Sequence, residues 1–338
     1  MTGFYSLPPP QQGERLADLA RSALPHWGLE GAALEVIKMR ENAVFRATLP
    51  DGRRHALRIH RHGYHSDAAL RSELQWMRAL DEAGIPVPSV IPAASGDLFV
   101  IARRAAVPEP RQVDLFAWVE GRQLGSAESG IDGGPDAVAR TFHTIGALTA
   151  RMHNQASAWA APAGFTRHAW DAEGLAGDRP FWGPFWELDA LTPAQRNLVR
   201  RGRERVRDAL AALPRDPDNY SLIHADFTPE NLLVDGDQVR PIDFDDAGFG
   251  WHLFDLATTL FFHLDADYCP AARAALIAGY RTHRPLPDTT LARLPLFLVA
   301  RGFTYLGWVH TRRETQTAQE LTPALVDLAC RLTRAFLA

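Results

Sequence analysis

The sequence predicts an α+β chain of two lobes, a small antiparallel β-sheet lobe followed by a larger helical lobe. Three observations carry that expectation. Short strand-like runs fill most of the first part of the chain, one pair of them joined by the hairpin dipeptide Asp51-Gly52. Beyond residue 135 the apolar residues recur at three- and four-residue steps instead. The change of regime falls near Gly121. The 338 residues suffice for about two compact units. The division expected is a helical extension over 1–30, a sheet lobe over 31–119 and a helical lobe over 120–338.

Each element has a local reason. Residues 11–26 place Leu16, Leu19 and Ala20 at helical spacing and stop near Pro25. LEVIKM (34–39), AVFRATL (43–49) and RHALRIH (54–60) read as strands. Ser66 or Asp67 caps a helix that runs to about Ala83, where Gly84 and then Pro86 and Pro88 stop it. LFVIA (98–102) and VDLFAWV (113–119) complete the sheet lobe. Val138, Phe142, Ile145, Leu148 and Met152 mark a helix over 135–153, and 193–213 reads as another. Residues 159–190 are irregular and rich in Trp, Pro and Gly. Two short strands, LLV (232–234) and PIDF (241–244), interrupt a region that is helical again to its end.

Composition excludes several classes. With 46% hydrophobic and 22% charged residues the chain has ordinary globular composition. A net charge of -4 leaves no electrostatic footprint for nucleic acid. Cys269 and Cys330 form neither a metal-ligand spacing nor a disulfide framework. The first residues, MTGFYSLPPPQQGERL, lack the charged-then-apolar order of a secretory signal, and no apolar run is long enough to span a membrane. A cytoplasmic protein is expected. Lys38 is the only lysine, so basic charge is almost all arginine.

The chemistry concentrates in LIHADFTPENLLVDGDQVRPIDFDDAGFG (222–250). His224, Asp226, Asn231 and Asp243 stand there in the order H-x-D-x-x-x-x-N, then a hairpin, then I-D-F. That is the layout of a kinase-type phosphoryl-transfer site. One Asp must reach the acceptor hydroxyl and take its proton. An Asn a few residues on must turn back to hold a metal ion, and a second Asp must hold the metals that bridge the phosphates. Solvated turn residues are the plainer reading, and Asp235-Gly236-Asp237 fits it. Apolar strands flank the other polar groups too closely for that. In the sheet lobe, Arg58 on the third strand and Glu73 on the following helix are the basic and acidic partners such a site needs. The gap between two lobes is a favoured ligand site.

At these residues the chain resembles the aminoglycoside phosphotransferase family of kinase-like enzymes. ENAVFRATLPDG, HALRIHR, the SEL helix, FAWVEG, LIHADFTPENLLV and IDFDDAGFGWHLFDLA carry the resemblance, from about Leu34 to Phe262. The IDFDD form is most similar to the branch with type II homoserine kinases and a bacterial stress-response Ser/Thr kinase. The resemblance implies a protein-kinase-like fold and an enzyme that uses ATP and Mg²⁺ to phosphorylate hydroxyl groups. It implies Asp226 as catalytic base, Asn231 and Asp243 as metal ligands, and Arg58 in the place of the usual phosphate-gripping lysine, with Glu73 its partner. The backbones of Ala117 and Val119 would meet adenine, and Glu41-Asn42-Ala43 would form the loop over the phosphates. His224 and Asp255 would brace the catalytic loop. Arginine cannot lose its proton and offers phosphate a bidentate fork, so the charge of the missing lysine survives while its geometry changes.

The acceptor is less sharply written. Asp246 lies beside the expected chemistry and is the candidate acceptor contact. His263, Asp265, Asp267 and Tyr268 read as an acidic, aromatic pocket for a cationic acceptor or, more simply, as loop solvation and packing. Trp170, Phe181, Trp182, Phe185 and Trp186 belong either to a substrate lid or to a cover over the helical core. Tyr305 and Trp308 suit core packing, and the arginines of 200–208 suit a solvated helix face. A small-molecule alcohol (an amino alcohol, amino acid, sugar or aminoglycoside-like compound) is the expected acceptor. A stress-response-type protein Ser/Thr kinase and a non-catalytic nucleotide-binding module are the alternatives. No A-P-E motif follows Asp243, which favours the small molecule.

Overall fold

The computed structural model describes residues 3–40, 42–126, 130–131 and 134–338, and the chain divides into two compact units. Unit 1 is Met1–Gly121 with Ala161–Thr166, and unit 2 is Arg122–Ala160 with Arg167–Ala338.

Unit 1 opens with helix α1 (Pro9–Ala23) and is built on a five-stranded antiparallel sheet. Its strands are β1 (Ala33–Met39), β2 (Ala43–Thr48), β3 (Arg54–Ile59), β4 (Phe99–Arg104) and β5 (Val107–Ala117), in the order β1-β2-β3-β5-β4. Alternation divides the sheet's side chains between two faces. Leu57 and Ile59 of β3, with Val113 and Leu115 of β5, pack with Leu16, Leu19, Ala20 and Ala23 of α1 in one apolar cluster. The N-terminal helix is thus part of this unit's core. Arg58 and Asp114 alternate with those residues and stand directly opposite one another in the β3–β5 register. Helix α2 (Asp67–Glu82) is capped by Ser66, whose hydroxyl accepts from the Ala69 amide. Its buried stripe of Leu70, Glu73, Leu74, Met77 and Leu80 includes one carboxylate.

Strand β5 begins six residues earlier than the alternation indicates and ends at Ala117, so Trp118 and Val119 lie beyond it. Pro108 and Pro110 concealed the early start. They lie past the end of β3, where β5 pairs with β4 alone, and an unpaired edge tolerates proline.

Unit 2 is mainly helical. After the short strands β6 (Arg122–Gln123), β7 (Gly125–Ser126) and β8 (Gly130–Ile131) come α3 (Pro135–Ala158), β9 (Ala169–Trp170), α4 (Ala172–Ala176) and α5 (Pro193–Ala211). Then follow β10 (Tyr220–Ile223), β11 (Leu232–Asp235), β12 (Gln238–Pro241), β13 (Gly248–Trp251), α6 (His252–Phe261), α7 (Cys269–Arg281), α8 (Asp288–Leu291), α9 (Leu294–Thr311) and α10 (Gln316–Leu337). Helices α3 and α7 meet backbone to backbone through two glycines. A Cβ on Gly146 would stand 2.0 Å from the Leu276 carbonyl, and one on Gly279 would stand 1.9 Å from that of His143. No helix among the described residues is long and apolar enough to cross a membrane.

Among the strands that escaped the sequence reading are β10 and β13, which pair antiparallel and flank the candidate catalytic segment. The strand expected over 241–244 does not form. β12 ends at Pro241, and Asp243 adopts a left-handed backbone (φ 64°) that no strand accommodates.

Candidate active site

The catalytic segment runs from the end of β10 to the start of β13. Its backbone holds the two non-glycine residues with positive φ among the described residues, Ala225 (φ 65°) and Asp243 (φ 64°). A left-handed conformation costs an L-residue roughly 1–2 kcal/mol. Such strain persists only where surrounding contacts over-determine it, and it gathers at functional sites.

At Ala225 those contacts are visible. Asp255 of α6 accepts the Ala225 amide on Oδ1 (2.7 Å) and the His224 amide on Oδ2 (3.1 Å). His153 of α3 reaches Asp255 Oδ2 through Nε2 (3.0 Å), while its Nδ1 meets the Tyr280 hydroxyl (2.9 Å). Burial pushes the Asp255 carboxyl up to about 6 and holds His153 well below its ordinary value. His224 is likewise kept neutral, its pKa lowered to about 4 by burial. Its Nδ1 accepts the Asp226 amide (3.2 Å), so the proton sits on Nε2 and goes to the Ile242 carbonyl (3.1 Å). His224 therefore ties the catalytic loop to the far side of the β11–β12 hairpin, and Asp255 ties the same loop to a helix.

Asp226 is one-fifth exposed, and its carboxylate is held by Arg301 and Asn231. Asn231 Nδ2 donates to its Oδ2 (2.6 Å) and to its carbonyl (3.1 Å). With the amide nitrogen so committed, Asn231 Oδ1 is the atom left to face a cation. The Ile242 amide donates to the Asn231 carbonyl (2.8 Å), continuing the β11–β12 ladder by one rung. Asp243 is the next residue and is exposed, so the amide and this carboxylate emerge from neighbouring points on one hairpin. An amide oxygen and a carboxylate are hard oxygen donors, the set that suits Mg²⁺ or Ca²⁺. The residues present fit a divalent cation of that kind.

Unit 1 brings Arg58 and Glu73 together. The Arg58 guanidinium donates from Nη2 to Glu73 Oε1 (2.7 Å). It also forms a two-pronged pair with Asp114, Nε to Oδ1 at 3.1 Å and Nη2 to Oδ2 at 2.7 Å. His60 Nε2 meets Asp114 Oδ2 at 2.9 Å. Asp114 is fully buried, and the Arg58 guanidinium beside it holds its carboxyl below the ordinary value against the opposing effect of burial. The sheet's register made this pair, and the lone acid in the apolar run VDLFAWV was its signal in the sequence.

The other expected nucleotide contacts of unit 1 lie apart from that cluster. Asn42 Oδ1 accepts the Arg61 amide (3.0 Å), tying the turn between β1 and β2 to the end of β3, while Glu41 lies outside the described residues. The Ala117 amide donates to the Ser89 carbonyl (2.9 Å), which leaves its carbonyl as the group for an outside donor. Val119 is half-buried just past the end of β5.

Around the acceptor candidate in unit 2, the Asp246 carbonyl accepts from Trp170 Nε1 (2.8 Å) and lies 3.0 Å from His168 Nε2, and its carboxylate accepts from Trp182 Nε1 (3.4 Å). Trp170, Trp182 and Phe185 are buried, so they cover the helical core rather than form an open lid. Asp265 pairs with Arg331 (2.5 Å), and His263 meets the Tyr268 hydroxyl (2.9 Å). Two arginines were missed by the sequence reading. Arg167 clamps the turn after Asp243 by donating to the carbonyls of Ala247 (2.5 Å) and Asp245 (2.6 Å). Arg301 of α9 is fully buried and donates to Asp226 Oδ1 (2.6 Å). It is the only charged residue in the run LPLFLVARGFTYLGWV, and that isolation was its signal.

An antiparallel sheet with one long helix, together with a strained loop and hairpin bearing an Asp, an Asn and a second Asp, defines a phosphotransferase of the kinase-like class. The chain belongs to the phosphotransferase enzyme family, whose pattern its residues 34–294 match. It is a kinase acting on hydroxyl groups. A microcompartment-associated aminopropanol kinase is similar at 31% identity with a TM-score of 0.83, over 95% of this chain and 97% of that one. The amicoumacin kinase of Bacillus subtilis (strain 168) is 24% identical over 309 residues, 88% of this chain and 86% of its own. The fold is also that of the amicoumacin kinase hAmiN, solved with AMP-PNP, Ca²⁺ and amicoumacin, with a TM-score of 0.75 at 22% identity over 97% of this chain and 94% of that one.

Proposed function

We propose that the enzyme transfers the γ-phosphoryl group of ATP, with Mg²⁺, to the hydroxyl of a small molecule, with an amino alcohol as the leading class. The observation that carries this is the Asp226–Asn231–Asp243 arrangement on one strained loop and hairpin. The aminopropanol kinase and the amicoumacin kinases support a small, amine-bearing acceptor. Asn231 and Asp243 would hold the metal, which supplies charge neutralisation on the phosphates. Asp226 orients the acceptor hydroxyl and receives its proton. Arg58, with Glu73, contributes the cationic contact to the phosphates. Asn42 lies over them, and the Ala117 carbonyl and Val119 backbone meet the adenine. Transition states of this kind are loose, so positioning and charge neutralisation supply most of the rate. His224 and Asp255 keep the loop in place without reacting. Asp246 takes the acceptor's ammonium group, since its carboxylate lies among aromatic side chains that favour a cation.

The test is ADP formation from MgATP with a panel of amino alcohols, amino acids, sugars and aminoglycosides, beside a generic protein acceptor. Asp226→Asn should lower turnover by about a thousandfold or more while MgATP affinity, read by calorimetry, stays within about threefold. Asp243→Ala should abolish the metal dependence of nucleotide affinity. Wild-type turnover in Asp226→Asn removes the assignment of the base. Phosphorylation of the protein acceptor alone moves the reading to a protein kinase.

A further inference from the structure

Arg301 stands where the fold has little use for it. It lies on α9 with no exposed surface, between Ala300 and Gly302 in a largely apolar helix. Burying a cation costs several kcal/mol, and apolar replacements of buried ion pairs are often neutral or stabilising. Arg301 Nε finds no acceptor among the described residues, which adds the cost of an unmet donor. Three aromatic rings surround the guanidinium carbon, Tyr305 at 4.2 Å, Trp182 at 5.0 Å and Phe254 at 5.6 Å. They offset part of the desolvation through their ring faces. The Tyr305 hydroxyl accepts from Nη2 (2.7 Å).

The remaining contacts both go to the catalytic loop. Nη1 donates to the Ala225 carbonyl (3.1 Å), and Nη2 donates to Asp226 Oδ1 (2.6 Å). The strained residue is thereby gripped from two sides, by Asp255 at its amide and by Arg301 at its carbonyl. The Asp226 carboxylate is also pinned at both oxygens, Oδ1 by Arg301 and Oδ2 by Asn231. A carboxylate held at one oxygen can still rotate about its side-chain bonds. One held at both presents its lone pairs in a fixed direction.

We propose that Arg301 is the positioning residue of the phosphotransfer site, fixing the direction and balancing the charge of Asp226 from behind the catalytic loop. This rests on the reading of Asp226 as the group that receives the acceptor's proton. Arg301 touches no reactant; it acts through Asp226. Its positive charge offsets that of the Asp226 carboxylate near a triphosphate. Its planar fork spans a backbone carbonyl and a side chain at once, which a lysine ammonium cannot do.

The experiment compares wild type, Arg301→Ala, Arg301→Lys and Asp226→Asn, reading ADP formation from MgATP with aminopropanol present, MgATP affinity by calorimetry, and thermal melting. Arg301→Ala should lose about a hundredfold in kcat, the scale expected for a catalytic group misplaced by about 1 Å, with MgATP affinity and KM within about threefold. Guanidinium ion at a non-denaturing concentration should restore part of that loss, while neutral urea of the same shape should not. A residue that merely held the fold would show a lowered melting temperature with both additives equally ineffective. Arg301→Lys, which keeps a cation and the packing of its stem, should stay folded and lose about tenfold in kcat. A folded Arg301→Ala or Arg301→Lys with kcat within twofold of wild type overturns the proposal, as does rescue by urea equal to that by guanidinium. Asp226→Asn separates the two readings. If it is inactive while the Arg301 variants are not, Arg301 loses its role and Asp226 keeps its own; if it is fully active, the base assignment falls first.

Discussion

Arg58 and Arg301 are both buried arginines paired with carboxylates, and they are built on opposite terms. Arg58 is on a strand between two others and has two buried carboxylates, Glu73 from a helix and Asp114 from the facing strand. Arg301 is on an apolar helix and has one carboxylate, which is partly exposed and also held by Asn231. In unit 1 the acid exceeds the base, with His60 as a further partner for Asp114. In unit 2 the arginine meets a carboxylate that an amide also holds. The first arrangement is a buried network whose members depend on one another. The second leaves its carboxylate partly in solvent, where a substrate hydroxyl can reach it.

Removing each cation in turn tests this difference most severely. Arg58→Met leaves two buried carboxylates without the arginine they share. A cost of about 3–5 kcal/mol follows from breaking a buried pair this way. Arg301→Met strands one partly exposed carboxylate that keeps its bond to Asn231, so about 1–3 kcal/mol is expected. Urea denaturation of both variants checks the ranking. If Arg301→Met is the less stable protein, then Arg301 serves the fold more than the chemistry, and the contrast drawn here is reversed. Activity should rank the other way per kcal/mol lost, because Arg301 directly contacts Asp226, the proposed base.

The same contrast shows what the sequence could reveal. The candidate catalytic segment stood out because its polar residues follow a fixed spacing along the chain, with apolar strands on both sides. His224, Asp226, Asn231 and Asp243 needed no knowledge of distant elements, and Glu73 was found from its place after the third strand. Asp114 and Arg301 required tertiary information. Asp114 matters because the β3–β5 register sets it opposite Arg58, and Arg301 because α9, some 75 residues later in the chain, packs behind the loop. Each stood out as a lone charge in an apolar run, a signal that marks a buried ion without naming its partner. The strand expected over 241–244 failed for a related reason. Its composition suits a strand, but Asp243 is turned to left-handed geometry at the site itself, where local propensity yields to function.

Acidification gives the mildest test, and it distinguishes the units by their buried histidines. Unit 2 keeps His153, His224, His252 and His263 neutral, each lowered first by burial, with His224 and His263 at about 4. In unit 1, His55 is lowered by burial and by Arg53. A histidine whose folded pKa is depressed contributes stability that is fully present above its unfolded value of about 6.5 and is lost as pH falls toward its folded value. Below about 6.5 the unfolded chain therefore binds more protons than the folded one. Each excess proton costs about 1.4 kcal/mol of stability per pH unit. Asp255 works in the opposite sense. Its folded pKa is raised to about 6, so between the ordinary carboxylate value and 6 the folded state binds a proton that the unfolded state has released. The depressed histidines outweigh the one raised carboxyl and leave acid as the destabilising direction, by on the order of 2 kcal/mol between pH 7 and 6. Urea midpoints at pH 7, 6 and 5 should fall steadily, and hydrogen exchange should show α3 and α6 of unit 2 losing protection before the β3–β5 ladder of unit 1. A midpoint that holds constant to pH 5 would mean that these imidazoles are charged or hydrated in the folded protein. In that case the neutral His224 that ties Asp226 to the hairpin would not be the species present.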